Sequence, residues 1–194
     1  MSASVNLLVL RHGQTAYNRQ GRMQGQLDVP LDATGHWQAT SVASALRSHG
    51  VTTVLSSDLV RARVTAETIA GALALPMTVD ARLREQHYGD WQGLTHAQIV
   101  ATGQAAPTGG ERLPDVGDRA LAAVLDGLPA EGTLLVVTHG DTARALVGRL
   151  LELAPAEWDA LPALGNTEWV RLSRERGAWD MSSEIARTGE SIPA

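Results

Sequence analysis

The feature that most limits how this chain can fold is an alternation of short apolar runs with longer segments of helical spacing. The runs 6–10 and 51–55 have the length of strands, and each precedes a segment, 34–48 or 59–73, in which apolar side chains recur every three or four residues. Strand and helix in repeated alternation are typical of a parallel α/β sheet. We therefore predict an α/β fold whose first two strands are parallel.

The same alternation continues through the second half of the chain. Further strands are predicted at 77–79, 133–138, 168–173 and 178–184, further helices at 95–101, 115–128 and 142–153, and loops at 14–31 and 102–114. With 194 residues and neither a repeat nor a long linker, the chain 1–194 is predicted to be one domain with a flexible tail from about residue 186.

Two missing residue types exclude several classes of chemistry. The chain has no cysteine, which excludes thiolate nucleophiles, disulfides and Cys-ligated metal sites. All 16 basic residues are Arg, so the lysines of P-loop proteins, kinases and Schiff-base enzymes are excluded as well. Arginine must therefore bind any anion, and its planar fork matches the oxygens of a phosphate.

Charge and hydropathy limit the partners. A formal net charge of −5 argues against a nucleic-acid partner. The apolar runs are too short to span a membrane, and the first of them lacks both the basic leader and the length of a signal peptide. We therefore expect a cytoplasmic protein that binds a small molecule, and the sequence leaves a monomer and a homodimer open.

Three predicted strands end close to side chains that bind anions. Arg11 and His12 follow the first strand, Arg61 comes a few residues after the second, and His139 with Gly140 follows the clearest buried strand. In open parallel sheets, ligands bind beyond the carboxyl ends of the strands, where helix N-termini point at them. These residues form one anion site if the sheet order brings the three strands together.

Each of these residues also has an ordinary structural interpretation. A histidine after a strand, taken singly, is more often a hydrogen-bonded structural residue, and Arg61 could pair with Asp58 or Glu67. The coincidence favours function, because two strands end in the same His-Gly step and an arginine precedes the first. A phosphate site is the better interpretation of the whole set.

The chemistry of a phosphate monoester suits these side chains. Its transition state spreads negative charge over three oxygens, which Arg11, Arg61 and a protonated His139 can bind. A neutral His12 can attack phosphorus in line and form a phosphohistidine, which divides one slow hydrolysis into two faster steps. We therefore predict that His12 is the nucleophile.

The leaving alkoxide needs a proton, and Glu85 is the predicted donor. A carboxylic acid can serve when partial burial and a nearby negative charge raise its pKa. The alternative is that Glu85 forms a surface salt bridge with Arg82 or Arg84. The assignment of Glu85 therefore depends on the rest of the site.

A series of motifs carries a family resemblance over nearly the whole chain. The motifs are LRHGQTAYN at 10–18, GRMQG at 21–25, SSDL at 56–59 with Arg61-Ala62 and Thr65-Ala66, LRE at 83–85 with GDWQG at 89–93, GGE at 109–111 and THG at 138–140. Together they resemble the histidine phosphatase superfamily, which includes the cofactor-dependent phosphoglycerate mutases. The resemblance implies a phosphoglycerate mutase-like fold, a three-layer α/β/α sandwich on a mostly parallel sheet, with no metal and no cofactor.

The resemblance also implies a role for each candidate residue. The implied catalytic set is His12 as the phosphorylated nucleophile, Glu85 as the general acid, and Arg11, Arg61 and His139 as ligands of the phosphoryl group. The implied contacts with phosphate or substrate are Asn18, Gln24 and Gly25, and the start of the last helix adds Gly140.

Within the family, the choice lies between a phosphatase and a mutase. Mutases of this group carry a longer insert with basic residues after the acid-bearing segment, whereas the segment 93–109 is short and contains no Arg. We therefore predict a phosphatase, with a mutase-type phosphotransferase as the alternative. The runs 22–28 and 89–99 are most similar to a phosphatase branch, which suggests a phosphoglycerate-type or phosphosugar-type substrate.

Specificity and activity are less constrained. The segment 101–108 is shorter than the lid of such enzymes, which should leave a more open pocket, so a broad phosphatase is equally compatible with the sequence. A catalytically silent phosphoprotein-binding module is a further alternative, although such a binder could dispense with Glu85.

Asp141 is expected to cap the helix predicted from Thr142. The other histidines are expected to be structural or solvated: His36, His49, His87 and His96.

Overall fold

A mostly parallel sheet lies at the centre of the molecule. The computed structural model describes residues 5–175, 177–182 and 185–186. Among these residues the strands are β1 (Val5–Arg11), β2 (Val51–Ser56), β3 (Met77–Val79), β4 (Gly132–Thr138), β5 (Trp169–Glu175) and β6 (Ala178–Met181). Their order is β3-β2-β4-β1-β5-β6; the first four are parallel, β5 is antiparallel to β1, and β6 is antiparallel to β5. The predicted α/β class is confirmed.

Helices cover both faces of this sheet. They are α2 (Ala33–Leu46) and α3 (Val60–Leu73) on one face and α5 (Leu113–Gly127) and α6 (Gly140–Leu150) on the other. Two shorter helices are α1 (Ala16–Arg19) and α4 (His96–Thr102). Leu7 and Val9 of β1 pack in the core that contains α5 and α6, whereas Leu8 and Leu10 pack in the core that contains α2 and α3. Burial of each such side chain contributes roughly 1.5–3 kcal/mol. The three-layer arrangement implied by the resemblance is therefore present.

Two differences from the predicted elements concern helices near the strand ends. A short helix, α1, lies inside the predicted loop 14–31, where Thr15 and Asn18 form a reciprocal capping box. Helix α6 begins at Gly140 with His139 at its N-cap. The expectation that Asp141 caps this helix is wrong, because Asp141 lies in the first turn and its carboxylate accepts a hydrogen bond from the hydroxyl of Tyr88.

The C-terminal region is described only in part. The strand predicted at 178–184 ends at Met181. Ala186, the predicted start of the flexible tail, forms two backbone hydrogen bonds with Trp169, of 3.1 and 3.0 Å. The remainder of that tail, 187–194, lies outside the described residues, and the assignment of the whole chain to one domain stays a prediction. Within the described ranges, no helix is both long and apolar enough to cross a membrane.

Trp158 fixes α6 against α5 through two glycines. Its indole belongs to the 3-10 turn Pro155–Ala160 and is fully buried. A Cβ added to Gly148 of α6 would lie 2.3 Å from Trp158 Nε1, and one added to Gly117 of α5 would lie 3.0 Å from Trp158 Cη2. Glycine at these two positions lets both helices approach the indole.

The sheet order brings the three candidate strand ends together. β4 lies between β1 and β2, and all three are parallel, so their carboxyl ends meet at one edge. Arg11 pairs with Thr138 at the end of one ladder, and Ser56 pairs with Val137 at the end of the other. The residues that follow each strand are therefore placed side by side.

Candidate active site

His12 follows β1 and is 2% exposed. Its Nδ1 lies 2.7 Å from the carbonyl oxygen of Gly13, which can only accept, so Nδ1 carries the ring proton. Its Nε2 accepts a hydrogen bond from Nε of Arg61 at 3.2 Å. Burial, followed by the charges of Arg61 and Arg11, lowers the pKa of His12 well below its ordinary value. The imidazole is therefore neutral, and Nε2 carries the lone pair.

The turn after His12 depends on glycine at position 13. The amide of Gly13 donates to Oγ1 of Thr65 on α3 at 3.1 Å. A Cβ at Gly13 would lie 2.6 Å from the carbonyl oxygen of Gly35 in α2, so only glycine allows this approach. The position of the imidazole is thus fixed by helices on the same face of the sheet.

Arg61, in the first turn of α3, is fully buried. Besides the contact with His12, its Nη1 donates to the carbonyl oxygen of Leu27 and its Nη2 to that of Gly25, each at 2.7 Å. Burial lowers the pKa of Arg61 to about 10, which leaves it charged at neutral pH. The hydrogen-bond partners of this guanidinium are thus neutral groups. Because no ion pair among the residues that the structure describes neutralises it, the cation can still attract an anion.

The carboxylates that the sequence offered as partners of Arg61 lie elsewhere. Asp58 forms a bidentate ion pair with Arg84, with a shortest distance of 2.5 Å. Glu67 pairs with Arg63 at 3.0 Å on the exposed side of α3. The structural alternative for Arg61 therefore does not apply.

His139 lies 5.1 Å from His12 between ring centroids and is fully buried. Its Nε2 is 2.9 Å from Oγ of Ser57, which itself accepts the amide of Leu59 at 3.3 Å. Ser57 can then donate its own proton to Nε2, so the ring proton lies on Nδ1, a buried atom without a partner in the described part of the chain.

The protonation state of His139 differs from the one used in the sequence argument. Burial, followed by the charges of Arg61, His12 and Arg11, lowers its pKa well below the ordinary value. Among protein groups alone, His139 is therefore neutral and not protonated. It can still donate a hydrogen bond to an anion from Nδ1, and the negative charge of that anion would favour the protonated form.

Arg11 and Gly140 lie next to each other, close to Glu85. Nη1 of Arg11 donates to the carbonyl oxygen of Leu164 at 2.7 Å, and its buried Nε has no partner within the described residues. A Cβ added to Gly140 would lie 3.8 Å from Cζ of Arg11 and 3.9 Å from Oε2 of Glu85. The first residue of α6 thus lies between the cation and the carboxyl group.

Glu85 is 8% exposed and is not in a surface salt bridge. Its Oε1 accepts the amide of Gln86 at 3.0 Å and both the amide and the hydroxyl of Thr142 at 3.1 Å. Burial and, next, the charge of Asp141 raise the pKa of Glu85. Since Oε1 is occupied by donors, a proton on this carboxyl group resides on Oε2.

The backbone next to Glu85 is held by Arg119, which the sequence interpretation missed. From α5, its Nη1 donates to the carbonyl oxygens of Arg82 and Arg84 at 2.6 Å, and its Nη2 to that of Glu85 at 3.1 Å. Glu111 of the GGE motif binds Arg119 through both carboxylate oxygens, at 3.1 and 3.0 Å. An arginine inside an amphipathic helix gives no sequence signal for such a role.

Asn18 and Gln24 each use their amide oxygen within the protein. Thr15 donates its amide to Oδ1 of Asn18 at 3.1 Å and its hydroxyl to Oε1 of Gln24 at 2.9 Å. Asn166, a second residue that the sequence missed, donates to the carbonyl oxygen of His12 at 2.9 Å and to Oδ1 of Asn18 at 3.3 Å. The amide nitrogens of Asn18 and Gln24 are thereby left as donors for a ligand.

Gly25 has a backbone role in this arrangement. Its carbonyl oxygen accepts from Arg61, its φ is +51°, and a Cβ there would lie 2.2 Å from Oε1 of Gln92. Gln92 uses that same oxygen to accept the amide of Gln26 at 2.8 Å. A direct contact between Gly25 and a ligand stays a prediction.

Two adjoining cavities open on most of these residues, although the fully buried His139 is in the lining of neither. The first, which we call the histidine pocket, has a volume of about 110 Å³ and is lined by Arg11, His12, Asn18, Arg22, Met23, Gln24, Gly25, Arg61, Glu85 and Tyr88. The second, the outer cavity, has a volume of about 210 Å³ and is lined by Arg11, Met23, Glu85, Tyr88, Gly140, Asp141, Arg144, Ala163 and Leu164. Four residues line both, so the cavities are continuous.

Two of the remaining histidines have identifiable structural contacts. His87 accepts the amide of Gly89 at 3.1 Å, and His49 packs edge-on against Trp169 with 5.6 Å between ring centroids. Neither residue lines the histidine pocket.

Comparison with known proteins gives a consistent set of relatives. Residues 7–185 match the histidine phosphatase superfamily (branch 1). A glucosyl-3-phosphoglycerate phosphatase of Mycobacterium tuberculosis is 40% identical over 92% of this chain and 88% of that protein. A probable phosphoglycerate mutase GpmB of Salmonella newport is 34% identical over 97% and 94%. A solved structure of mycobacterial glucosyl-3-phosphoglycerate phosphatase with VO3 has a TM-score of 0.86 at 39% identity, over 95% of this chain and 99% of that one.

Proposed function

Since the chain belongs to the histidine phosphatase superfamily, branch 1, we propose that it hydrolyses small phosphate monoesters through a phosphohistidine formed on His12. The resemblance of its motifs to this superfamily and the assignment as a phosphatase are confirmed by the relatives. The branch that the runs 22–28 and 89–99 resemble is that of the actinobacterial glucosyl-3-phosphoglycerate phosphatases, and this resemblance is also confirmed.

In the first step, the phosphoryl oxygens are bound by Arg61, Arg11 and the Nδ1 proton of His139. Nε2 of His12 attacks phosphorus as the bond from phosphorus to the ester oxygen breaks. Glu85 transfers the proton on Oε2 to the leaving alkoxide, so that an alcohol departs and a carboxylate remains.

In the second step, water replaces the alcohol. The Glu85 carboxylate takes a proton from the water, the water oxygen attacks phosphorus, and the bond from phosphorus to Nε2 breaks. Inorganic phosphate leaves, and both His12 and Glu85 return to their starting protonation states.

The observation that carries this proposal is the setting of His12. A neutral imidazole with its proton fixed on Nδ1 presents Nε2 next to a buried arginine that has only neutral partners. A nucleophile must be unprotonated, and the arginine compensates the charge of the phosphate that it attacks.

The test is the variant His12→Ala, assayed with p-nitrophenyl phosphate. We expect a loss of turnover of at least about 10³-fold, as for removal of other catalytic nucleophiles, and acid-labile ³²P labelling of the native protein but not of the variant. The control is His36→Ala, which removes an exposed histidine of α2 and should retain full activity. EDTA should leave the native enzyme active; inactivation by EDTA, or an active His12→Ala, would contradict the mechanism.

The substrate is proposed to be a phosphoglycerate-type or phosphosugar-type metabolite. This rests on the relatives named glucosyl-3-phosphoglycerate phosphatase and on the outer cavity, which gives room for the rest of a substrate next to the histidine pocket. The likeness to a probable phosphoglycerate mutase keeps phosphotransfer as the second candidate. Incubation with 3-phosphoglycerate distinguishes the two, since a phosphatase releases inorganic phosphate whereas a mutase forms 2-phosphoglycerate.

A further inference from the structure

Arg144, on the first turns of α6, has an unusual set of partners. Its nearest carboxylates are Asp159 at 3.4 Å and Asp141 at 3.9 Å, and its buried Nε has no partner within the described residues. Every other ion-paired arginine of the described chain has a carboxylate at 3.0 Å or less. The guanidinium of Arg144 is therefore the least satisfied cation of this set.

Arg144 also lines the outer cavity. It lies one helical turn after Gly140, whose position is between Arg11 and Glu85. The outer cavity and the histidine pocket share Arg11, Met23, Glu85 and Tyr88, so a molecule whose phosphate occupies the histidine pocket has room to extend toward Arg144. Among the described residues that line the outer cavity, the other arginine is Arg11, whereas Arg22 and Arg61 line the histidine pocket.

The charges of the outer cavity permit an anion there. Two carboxyl groups line this cavity: Glu85, which carries a proton when the proposed reaction begins, and Asp141, whose Oδ2 is engaged by the hydroxyl of Tyr88 at 2.5 Å. Asp159, the other partner of Arg144, has a side chain that is 91% exposed, so water screens this pair. A ligand carboxylate can therefore replace long, screened contacts by a short charge-assisted one.

We infer that Arg144 and the outer cavity form a carboxylate subsite, so that the preferred substrates are phosphate monoesters of hydroxy acids. The inference rests on the proposed function, because the phosphate of the substrate must lie in the histidine pocket. It narrows that function, since neutral sugar phosphates and glycerol phosphates lack the group that this subsite binds. A structural role for Arg144, joining α6 to the turn 155–160 through Asp159, is the alternative.

The test compares two esters with the same carbon skeleton. 3-Phosphoglycerate carries a carboxylate where glycerol 1-phosphate carries a hydroxymethyl group, and p-nitrophenyl phosphate serves as a generic substrate. We expect Arg144→Gln to lower kcat/KM for 3-phosphoglycerate by roughly 10–100-fold, mostly through KM, the range of one charge-assisted hydrogen bond. The values for the other two esters should stay within about twofold, the size of uniform surface effects.

A matched control is Arg149→Gln on the same helix. Arg149 has a similar exposure, 27% against 25% for Arg144, and an ion pair with Asp118, but it lines neither cavity. The variant Arg149→Gln should leave the ratio of kcat/KM for 3-phosphoglycerate to that for glycerol 1-phosphate unchanged. A second measurement needs no variant: D-glycerate should inhibit hydrolysis of p-nitrophenyl phosphate by the native enzyme competitively, and glycerol should not.

The outcomes separate the subsite from the proposed function. Equal losses on all three esters in Arg144→Gln indicate the structural role and overturn the inference. So does a native enzyme that hydrolyses p-nitrophenyl phosphate yet shows neither a preference for 3-phosphoglycerate nor inhibition by D-glycerate. A native enzyme that hydrolyses none of the esters overturns the proposed function itself.

Discussion

At the scale of single residues, the partners of each arginine distinguish the candidate ligand-binding side chains from the structural ones. Arg84 meets a carboxylate at 2.5 Å and is neutralised, whereas Arg61 meets carbonyl oxygens and an imidazole and keeps its charge available. Carbonyl oxygens fix the orientation of a guanidinium without cancelling its charge. A buried arginine whose hydrogen-bond partners are neutral is therefore a good candidate for binding an anion.

The environment of Glu85 leads to a prediction about leaving groups. Replacement Glu85→Gln retains the shape and the acceptor oxygen for Thr142 but removes the transferable proton. Hydrolysis of 3-phosphoglycerate should fall by about 10²–10⁴-fold, the usual contribution of a general acid. Hydrolysis of p-nitrophenyl phosphate should fall far less, because nitrophenolate leaves without protonation.

Steady-state rates on both esters check this prediction. Gln86→Ala is the control, since it alters the neighbouring side chain and keeps the backbone amide that donates to Glu85. Equal slowing of both esters by Glu85→Gln would argue against Glu85 as the acid.

The same carboxyl group predicts a dependence on pH. Glu85 must be protonated in the first step, so kcat/KM should decline as pH rises through its raised pKa. Asp141 contributes to that raised pKa, and Asp141→Asn removes the charge while its amide oxygen can still accept from Tyr88. The basic limb of the profile should therefore move to lower pH in this variant.

The pH profile of kcat/KM for an alkyl phosphate is the measurement. Asp126→Asn, which removes an exposed carboxylate paired with Arg82, should leave the limb in place. An unchanged limb in Asp141→Asn would show that Glu85 does not sense this neighbour.

At the scale of elements, the sequence predicted the strand β4 more closely than the start of the helix that follows it. The run 133–138 is uncharged with four apolar residues at its centre, and the strand found there differs by one residue. Helix α6 starts two residues before its predicted start at Thr142. The prediction missed these residues because Gly and Asp, found at 140 and 141, are common in turns and loops.

The contacts that fix Arg61 could not be predicted from the sequence. They are backbone carbonyl oxygens, those of Leu27 and Gly25, and a residue of any type can supply such an oxygen.

The packing of Trp158 between α5 and α6 gives a prediction of stability. Gly148→Ala would place a methyl group 2.3 Å from the indole nitrogen, so either the buried indole or α6 must shift. We expect the free energy of unfolding to fall by about 1–3 kcal/mol, the usual cost of overpacking.

Urea unfolding measures this change, and Gly71→Ala in α3 is the matched control. No atom lies within 4 Å of a Cβ built on Gly71, so this substitution should stabilise the helix by roughly 0.5–1 kcal/mol. Two glycine-to-alanine substitutions should thus have opposite signs. Stabilisation by Gly148→Ala would contradict the packing described.

At the scale of the whole molecule, the sheet order determines whether the candidate residues can act together. The sequence could place His12, Arg61 and His139 at strand ends, but not decide that β4 lies between β1 and β2. That order depends on long-range pairing, which no local pattern encodes. The motifs supplied it only through the resemblance to a family with the same fold.

The buried charge of Arg61, whose hydrogen-bond partners are all neutral, has a thermodynamic consequence for the whole fold. A buried cation with only neutral partners makes the folded state less stable than it could be, and any anion that enters the pocket removes part of this cost. The Tm of the native protein should therefore rise as inorganic phosphate is added. The variant Arg61→Met should show no such rise, and without phosphate its Tm should be higher than that of the native protein. Calorimetry at increasing phosphate concentration would measure this rise in Tm, which reports how tightly the pocket binds the reaction product. A Tm that does not change with phosphate would mean that the pocket does not bind the product.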